Sequence, residues 1–274
     1  MIYVAIGIAF VVILKLATKK AKEARARAAA EAEKKRIESR SRELARIREA
    51  EEKAAAERIE RKRQRIEDDT LAAIAKVPGS ERYRLDTQQT YASVHLMTIT
   101  EFTPISKKRF VAFDLETTGL SPDSSIIEIG AVRVENGVIT EEFQQLIDPG
   151  FSIPAEASAV NHITDDMVAG MPKIYEVLPA FLSFVDDDVL VAHNAAFDVR
   201  ILSNACMQNR FKVPENAFDT MTLARYYPEA ANKKLGTLAK AAGLVNPDAH
   251  RALGDAQTAA LLVVVTNEKR GKKK

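Results

Sequence analysis

Residues 109–120 read RFVAFDLETTGL, and the fold follows from how that stretch divides. Phe110, Val111, Ala112 and Phe113 form an apolar run that predicts a buried strand, and two carboxylates, Asp114 and Glu116, stand at its end. Side chains two apart on a strand leave the same face of the sheet, so both acids are expected side by side. Carboxylates at the end of a buried strand are costly unless they are paired or bound to a cation. Thr117, Thr118 and Gly119 come next, residue types that a strand-to-loop turn ordinarily uses.

The pattern downstream completes a sheet. Residues 125–137 and 138–147 alternate apolar and polar side chains and meet at Asn136-Gly137, a strong hairpin signal. Helical periodicity covers residues 174–184, VLVAH (189–193) is a short strand, and 195–208 is helical again. FDTMTLARYY (218–227) starts as a strand and continues as a helix. LGTLAKAAG (235–243) is a short helix with a glycine stop, and 252–267 forms the last helix. A three-strand meander, then two strands alternating with helices, predicts an α/β fold, a mixed five-stranded sheet with helices on its faces.

Two further segments are expected to bring acids to the same sheet edge. In HNAAFD (193–198) Asn194 is a plausible helix N-cap, and Asp198 falls in the first helical turn, pointing toward Asp114. Phe197 suits the core or a stacking contact, and His193 reads as structural. In HRALGD (250–255) His250 and Asp255 are five apart, too far around one helix to share a face. His250 is therefore placed on the loop before the helix, and Asp255 inside it on a face with Ala259 and Leu262. Gathered carboxylates repel one another unless a hard cation joins them, and Mg²⁺ or Mn²⁺ suits oxygen ligands. One carboxylate can bridge two such ions roughly 4 Å apart. Imidazole, of intermediate basicity, suits a general base acting on water. The set predicts metal-assisted phosphodiester hydrolysis. Thr117, Thr118, Gly119, Leu120, Asn194 and Phe197 are candidate contacts to the substrate.

These residues resemble the DEDDh class of 3′–5′ exonucleases, the superfamily that contains the proofreading subunit of the bacterial replicative DNA polymerase. The resemblance covers about residues 107–266 and rests on FDLETTG, HNAAFD and HRALGD in that order, with secondary signatures at 161–167 (NHITDDM) and 218–225 (FDTMTLAR). One departure is His162, standing before Ile163 where many members carry glycine. The resemblance implies a ribonuclease-H-like fold, with Asp114, Glu116, Asp198 and Asp255 holding two divalent metals and His250 activating the water. It also implies release of nucleoside 5′-monophosphates from a free 3′ end. Single-stranded DNA is the favoured partner, with RNA the alternative, since one loop side chain can tolerate or reject a 2′-hydroxyl. A tethered, non-catalytic scaffold is a third reading, which the intact five-residue set opposes. Association with a polymerase is left open.

The N-terminal part reads differently. Residues 2–14 are uninterruptedly apolar. As a helix the first 17 residues reach roughly 25 Å, slightly short of the ~30 Å hydrocarbon core. They predict an uncleaved single-pass anchor in the cytoplasmic membrane, with lipid as a partner. Lys15, Lys19, Lys20, Lys22, Arg25 and Arg27 follow the run and would keep everything after residue 18 in the cytoplasm. Residues 18–76 are rich in strong helix formers, with i,i+4 pairs such as Glu31–Lys35, Glu38–Arg42 and Glu57–Arg61. Ile37, Leu44 and Ile47 begin one heptad seam, and Ile59 and Ile66 another out of register. The segment is a solvated helical stalk or a loose coiled coil, the latter giving a homodimer. Pro78, Gly79 and Ser80 break the helix. Residues 77–106 are then a connector, closed by Pro104 and able to pack on the domain that follows, 107–268 the exonuclease domain and 269–274 a basic tail.

The net charge of +2 hides an asymmetry. Between Lys19 and Glu67 eighteen Lys and Arg stand against eleven Glu, so the segment between stalk and tail is net acidic. A polyanionic substrate there needs metal ions and local basic residues rather than a global basic field. Cys206, the only cysteine, excludes a disulfide framework.

Overall fold

The computed structural model describes residues 2–85, 93–246 and 248–271. Helix α1 (Ile2–Ala75) comes first, followed by strand β1 (His95–Met97) and helix α2 (Ile99–Ile105). Strands β2 (Arg109–Thr117), β3 (Ile126–Glu135) and β4 (Val138–Leu146) form the meander. Then come α3 (Ala155–Asn161), α4 (Asp165–Val168), α5 (Ile174–Val185), β5 (Leu190–Ala192), α6 (Ala195–Gln208), β6 (Asn216–Asp219), α7 (Leu235–Ala241) and α8 (Ala252–Gly271). The chain divides into two compact units, Met1–Arg65 and Ile66–Lys274.

One mixed sheet of order β1-β6-β5-β2-β3-β4 organises the second unit. β2, β3 and β4 are antiparallel neighbours, whereas β1, β6, β5 and β2 run parallel. The β3–β4 turn places Asn136 at φ 51° and Gly137 at φ 83°, the left-handed pair that a two-residue hairpin requires. Period two then divides the strands between two cores. Val111, Phe113 and Leu115 pack with Leu178, Phe181, Ile201 and Leu202 of α5 and α6. Phe110, Ala112, Val132 and Val134 pack with Ala260, Leu262 and Val263 of α8. Asp114 and Glu116 continue the α8-facing alternation of β2, just beyond its apolar part.

Four expectations change. The sheet has six strands, not five. The extra strand, β1, lies in the expected connector and is only three residues long, too short for a visible period. Its parallel pairing with β6 supplies what its sequence does not announce. Pro104 sits inside α2, where Phe102 stacks on Phe218 of β6 with ring centroids 4.1 Å apart.

The expected membrane anchor is also overturned. Among the described residues, no helix is long and apolar enough to cross a membrane. The apolar run ends at Lys15, and residues 2–14 as a helix cover about 20 Å, well short of a ~30 Å core. The side chains of residues 2–17, and of the seam residues Ile37, Leu44 and Ile47, lie outside those described. With the anchor goes the expectation of a single-pass membrane location.

Finally, residues 66–76, expected as part of the stalk, supply Ile74 to the core of the second unit, where Tyr83 of the connector also packs. There the Ser80 hydroxyl donates to the Ile74 carbonyl at 3.1 Å and Arg84 pairs with Glu67.

Candidate active site

The site depends on how closely α8 approaches β3. Gly130 is paired with Asp114, and Glu128 with Glu116, across the β2–β3 ladder. A Cβ added at Gly130 would lie 2.1 Å from the backbone nitrogen of Leu253, so the first turn of α8 rests against strand backbone. Ala252 and Ala256 are fully buried beside it, and their size permits the approach. It carries Asp255 to the acids of β2. One carboxylate oxygen from each of Asp114, Glu116 and Asp255 lies within 4.8 Å of the others.

Asp198 enters from the first turn of α6 and is buried. Its Oδ1 accepts the Leu115 backbone N–H at 3.2 Å. The 4.8 Å group does not include it, yet its charge acts on Asp114. Burial first, then Asp198, Asp255 and Glu116, hold the Asp114 carboxyl well above the usual carboxylate range. Burial, Asp255 and Glu128 push Glu116 up to about 8, against a hydrogen bond from Asn161. Burial pushes Asp198 to about 7, against the Leu115 N–H. Crowded carboxylates without a countercharge take up protons. An all-oxygen donor set of this kind fits a hard divalent cation.

His250 lies at φ 64° just before α8, exposed, a conformation uncommon for a residue with a Cβ. Its backbone N–H donates to Asp255 Oδ2 at 3.1 Å, and the Asn246 amide donates to Asp255 Oδ1. The other histidine of this edge, His193, is held on both ring nitrogens. Its Nε2 donates to the Lys233 carbonyl at 2.8 Å, leaving Nδ1 to accept from the Thr220 hydroxyl. Burial lowers its pKa, so it stays a neutral brace.

The remaining candidates divide by environment. Thr117 and Thr118 are buried; Thr117 donates to the Gly119 carbonyl at 2.7 Å, and Thr118 exchanges bonds with Ser125. Leu120 is 84% exposed on the same turn. Phe197 is half-buried against the α5–α6 core, with the Arg200 guanidinium 5.6 Å from its ring centroid. Asn194 occupies the N-cap position of α6 but its side chain makes no cap bond, because its backbone is left-handed at φ 64°. Its N–H instead donates to Asp219 Oδ1, which also receives the Met221 N–H.

Sequence reasoning gave no role to Asn161, Glu128 or Arg251, although the quoted NHITDDM and HRALGD contain the first and the last. Asn161 donates to the Thr117 carbonyl and bonds Glu116. Glu128 is fully buried and bonded to Arg251. The available signal was a charge at an inward position of IIEIG.

Comparisons with known proteins agree with this geometry. The family model described as exonuclease (RNase T) matches residues 111–263. A PolC-type DNA polymerase III from Clostridium perfringens is 44% identical over 153 residues, which are 55% of this chain and 11% of the polymerase. Its counterpart from Listeria monocytogenes is 42% identical over 156 residues, with the same 11% covered. The chain therefore spans only about a ninth of these relatives. Among solved structures, exonuclease X in complex with 5′ overhanging duplex DNA is 32% identical, with a TM-score of 0.50 over 59% of this chain and 93% of that one. E. coli exonuclease I with a dT13 oligonucleotide is 18% identical, with a TM-score of 0.54 over 61% of this chain and 42% of that one, and supports the ribonuclease-H-like fold alone. The motifs, the carboxylate geometry and the extent of the match together establish that the chain belongs to the exonuclease (RNase T) family of the DEDD superfamily.

Proposed function

We propose that the Ile66–Lys274 unit is a 3′–5′ exonuclease that uses two Mg²⁺ or Mn²⁺ ions to release nucleoside 5′-monophosphates from single-stranded DNA. The observation that carries this reading is the convergence of Asp114, Glu116 and Asp255 within 4.8 Å. With Asp198 beside them, these acids would hold the ions. When bound, the ions would supply Lewis-acid stabilisation of the charge that develops on the phosphate. An imidazole nitrogen of His250 accepts the proton of the attacking water. The water oxygen bonds to phosphorus as the bond to the 3′-oxygen of the preceding nucleotide breaks. The turn from Thr117 to Leu120, with Asn194 and Phe197 across the edge, positions the terminal nucleotide, and the exposed Leu120 offers an apolar contact to its base.

DNA is preferred over RNA here because the polymerase relatives and exonuclease X are DNA-handling proteins by name. Digestion of 5′-labelled single-stranded DNA by the full chain should shorten it stepwise from the 3′ end. EDTA should stop the reaction. Unchanged turnover in EDTA would overturn the metal reading, and faster digestion of a matched RNA would make RNA the substrate.

A further inference from the structure

The buried Glu128 has no part in the chemistry above, yet it is among the most heavily bonded carboxylates of the site. Its Oε2 accepts from Arg251 Nε at 3.0 Å and from the Ala252 backbone N–H at 3.1 Å. Its Oε1 accepts from Arg251 Nη2 at 2.6 Å and from Gln144 Nε2 at 2.9 Å. The Arg251 contact is bidentate, the geometry in which guanidinium and carboxylate fix each other's orientation most firmly. Arg251 immediately follows His250, and Ala252 opens α8. Glu128 therefore grips the chain directly after the proposed base, from a strand that contributes no other acid to the site.

A second grip lies on the other side of His250. The Asp255 carboxylate holds the His250 backbone N–H and the Asn246 amide. A Cβ added at Gly254 would lie 2.6 Å from the Asp248 carbonyl oxygen, so the segment before His250 is folded tightly onto the helix. Between these two grips His250 is kept at positive φ, a backbone state that persists only where the surroundings impose it.

From this arrangement we infer that Glu128 and Arg251 are positioning residues, a bidentate latch that holds His250 where it can act on the attacking water. This inference rests on His250 being the base. Neither Glu128 nor Arg251 belongs to the three acids that converge within 4.8 Å, although the Glu128 charge acts on Glu116. Loss of the latch lowers turnover mainly through the placement of His250, and misplacing a reacting group by about 1 Å can cost up to about 10²-fold.

The test uses the full chain with Arg251→Met, Arg251→Lys, Glu128→Gln, His250→Ala and the double variant His250→Ala/Arg251→Met. The readouts are kcat and KM on a single-stranded DNA oligonucleotide, Mn²⁺ affinity by calorimetry, and urea unfolding. Arg251→Met is expected to lower kcat by about 10-fold or more, with KM and Mn²⁺ affinity within about twofold of wild type. Arg251→Lys should recover part of that loss, since it keeps the charge but not the fork. In the His250→Ala background, Arg251→Met should cost less than about twofold, because a positioning residue has nothing left to position. If the Arg251→Met loss persists in full there, or Mn²⁺ affinity falls with kcat, the latch is overturned while the base reading stands. If His250→Ala itself retains wild-type kcat, the base reading fails and takes the latch with it. Should Glu128→Gln unfold, the Arg251 variants decide alone, since Arg251 is half-exposed at the site's edge.

Discussion

The two units of this chain are held together by different physics. In Met1–Arg65 the described side chains are solvent-exposed, and Ile59, the one large apolar side chain described there, is 69% exposed. Helix is favoured in that unit by local propensity and by pairs such as Glu31–Lys35, 3.8 Å apart and largely solvated. Such pairs contribute about 0.3–0.5 kcal/mol each. In Ile66–Lys274 nearly every decisive contact joins residues far apart in sequence: Glu128 with Arg251, Asp114 with Asp255, Phe102 with Phe218. The difference predicts where substitutions matter. The first unit should absorb them, whereas the second concentrates both stability and chemistry in a few close approaches.

The largest effect is expected at the carboxylate cluster. Asp114→Asn should lower turnover by about 10³-fold, because losing one ligand forfeits several kcal/mol of charge stabilisation. The same substitution should stabilise the metal-free protein at pH 8. There the native fold holds the Asp114 carboxyl with its pKa raised by burial and by Asp198, and the neutral amide removes that penalty. Turnover and urea unfolding in EDTA measure the two arms. Loss of both activity and metal-free stability would mean that Asp114 serves the fold rather than a cation.

Next comes the approach of α8. Gly130→Ala would place a methyl group 2.1 Å from the Leu253 nitrogen, and backbone cannot rotate away as a side chain can. A cost of about 1–3 kcal/mol or more follows from overpacking, together with displaced Asp255 and lost turnover. Gly236→Ala is the control, since nothing lies within 4 Å of its added Cβ in α7. It should be neutral or gain up to about 1 kcal/mol. Equal unfolding midpoints for the two variants would show that α8 does not need its close contact.

The pH dependence of the metal-free protein has a definite sign. Glu116 is raised from the ordinary 4.5 to about 8, so between those values the native state binds more protons than the unfolded one. Stability is then full below about 4.5 and lost as pH rises through about 8. Thermal melts in EDTA should fall across that window, and Glu116→Gln or added Mn²⁺ should flatten the slope. A melting temperature that rises with pH in EDTA would contradict the crowding of acids described above.

What could be read from the chain before folding was the set of residues whose local pattern carries their role. The β2 run with Asp114 and Glu116, the Asn136-Gly137 hairpin and the helix at Ala195–Gln208 all announce themselves within a dozen residues. What could not be read depends on partners far away. β1 has three residues and exists because β6 pairs with it. Asn194 looks like a cap, yet its left-handed backbone and the Asp219 carboxylate give it another arrangement. Ile74 sits in a charged helical sequence, and only the neighbouring α5 and Tyr83 make it a core residue. The Glu128–Arg251 pair spans 123 residues, and no local period can link them. The apolar N-terminal run was over-read for the opposite reason, because local hydrophobicity alone does not supply the length of a span.

The location of Ile74 sets a smaller effect. A fragment beginning at residue 66 keeps Thr70, Ala73 and Ile74, all buried, whereas one beginning at residue 81 loses them. The shorter fragment should be less stable by about 1.5–3 kcal/mol for Ile74 alone, with the carboxylate site itself intact. Urea unfolding of the two fragments compares them directly. Equal midpoints would mean that the end of α1 adds nothing to the unit it packs in.

The smallest effect tests the other side of the contrast. Glu60 and Arg63 face each other at 3.8 Å with side chains 68% and 71% exposed. At such exposure water competes for both charges and salt screens what remains. Glu60→Ala should cost less than about 0.5 kcal/mol of helix stability. It should also leave exonuclease turnover unchanged, because the residue lies in the first unit and every acid of the site lies in the second. Helix content by circular dichroism and oligonucleotide digestion by the full chain are the measurements. A severalfold change in digestion from this one exposed glutamate would break the contrast between the units, since the described side chains of the first unit face solvent.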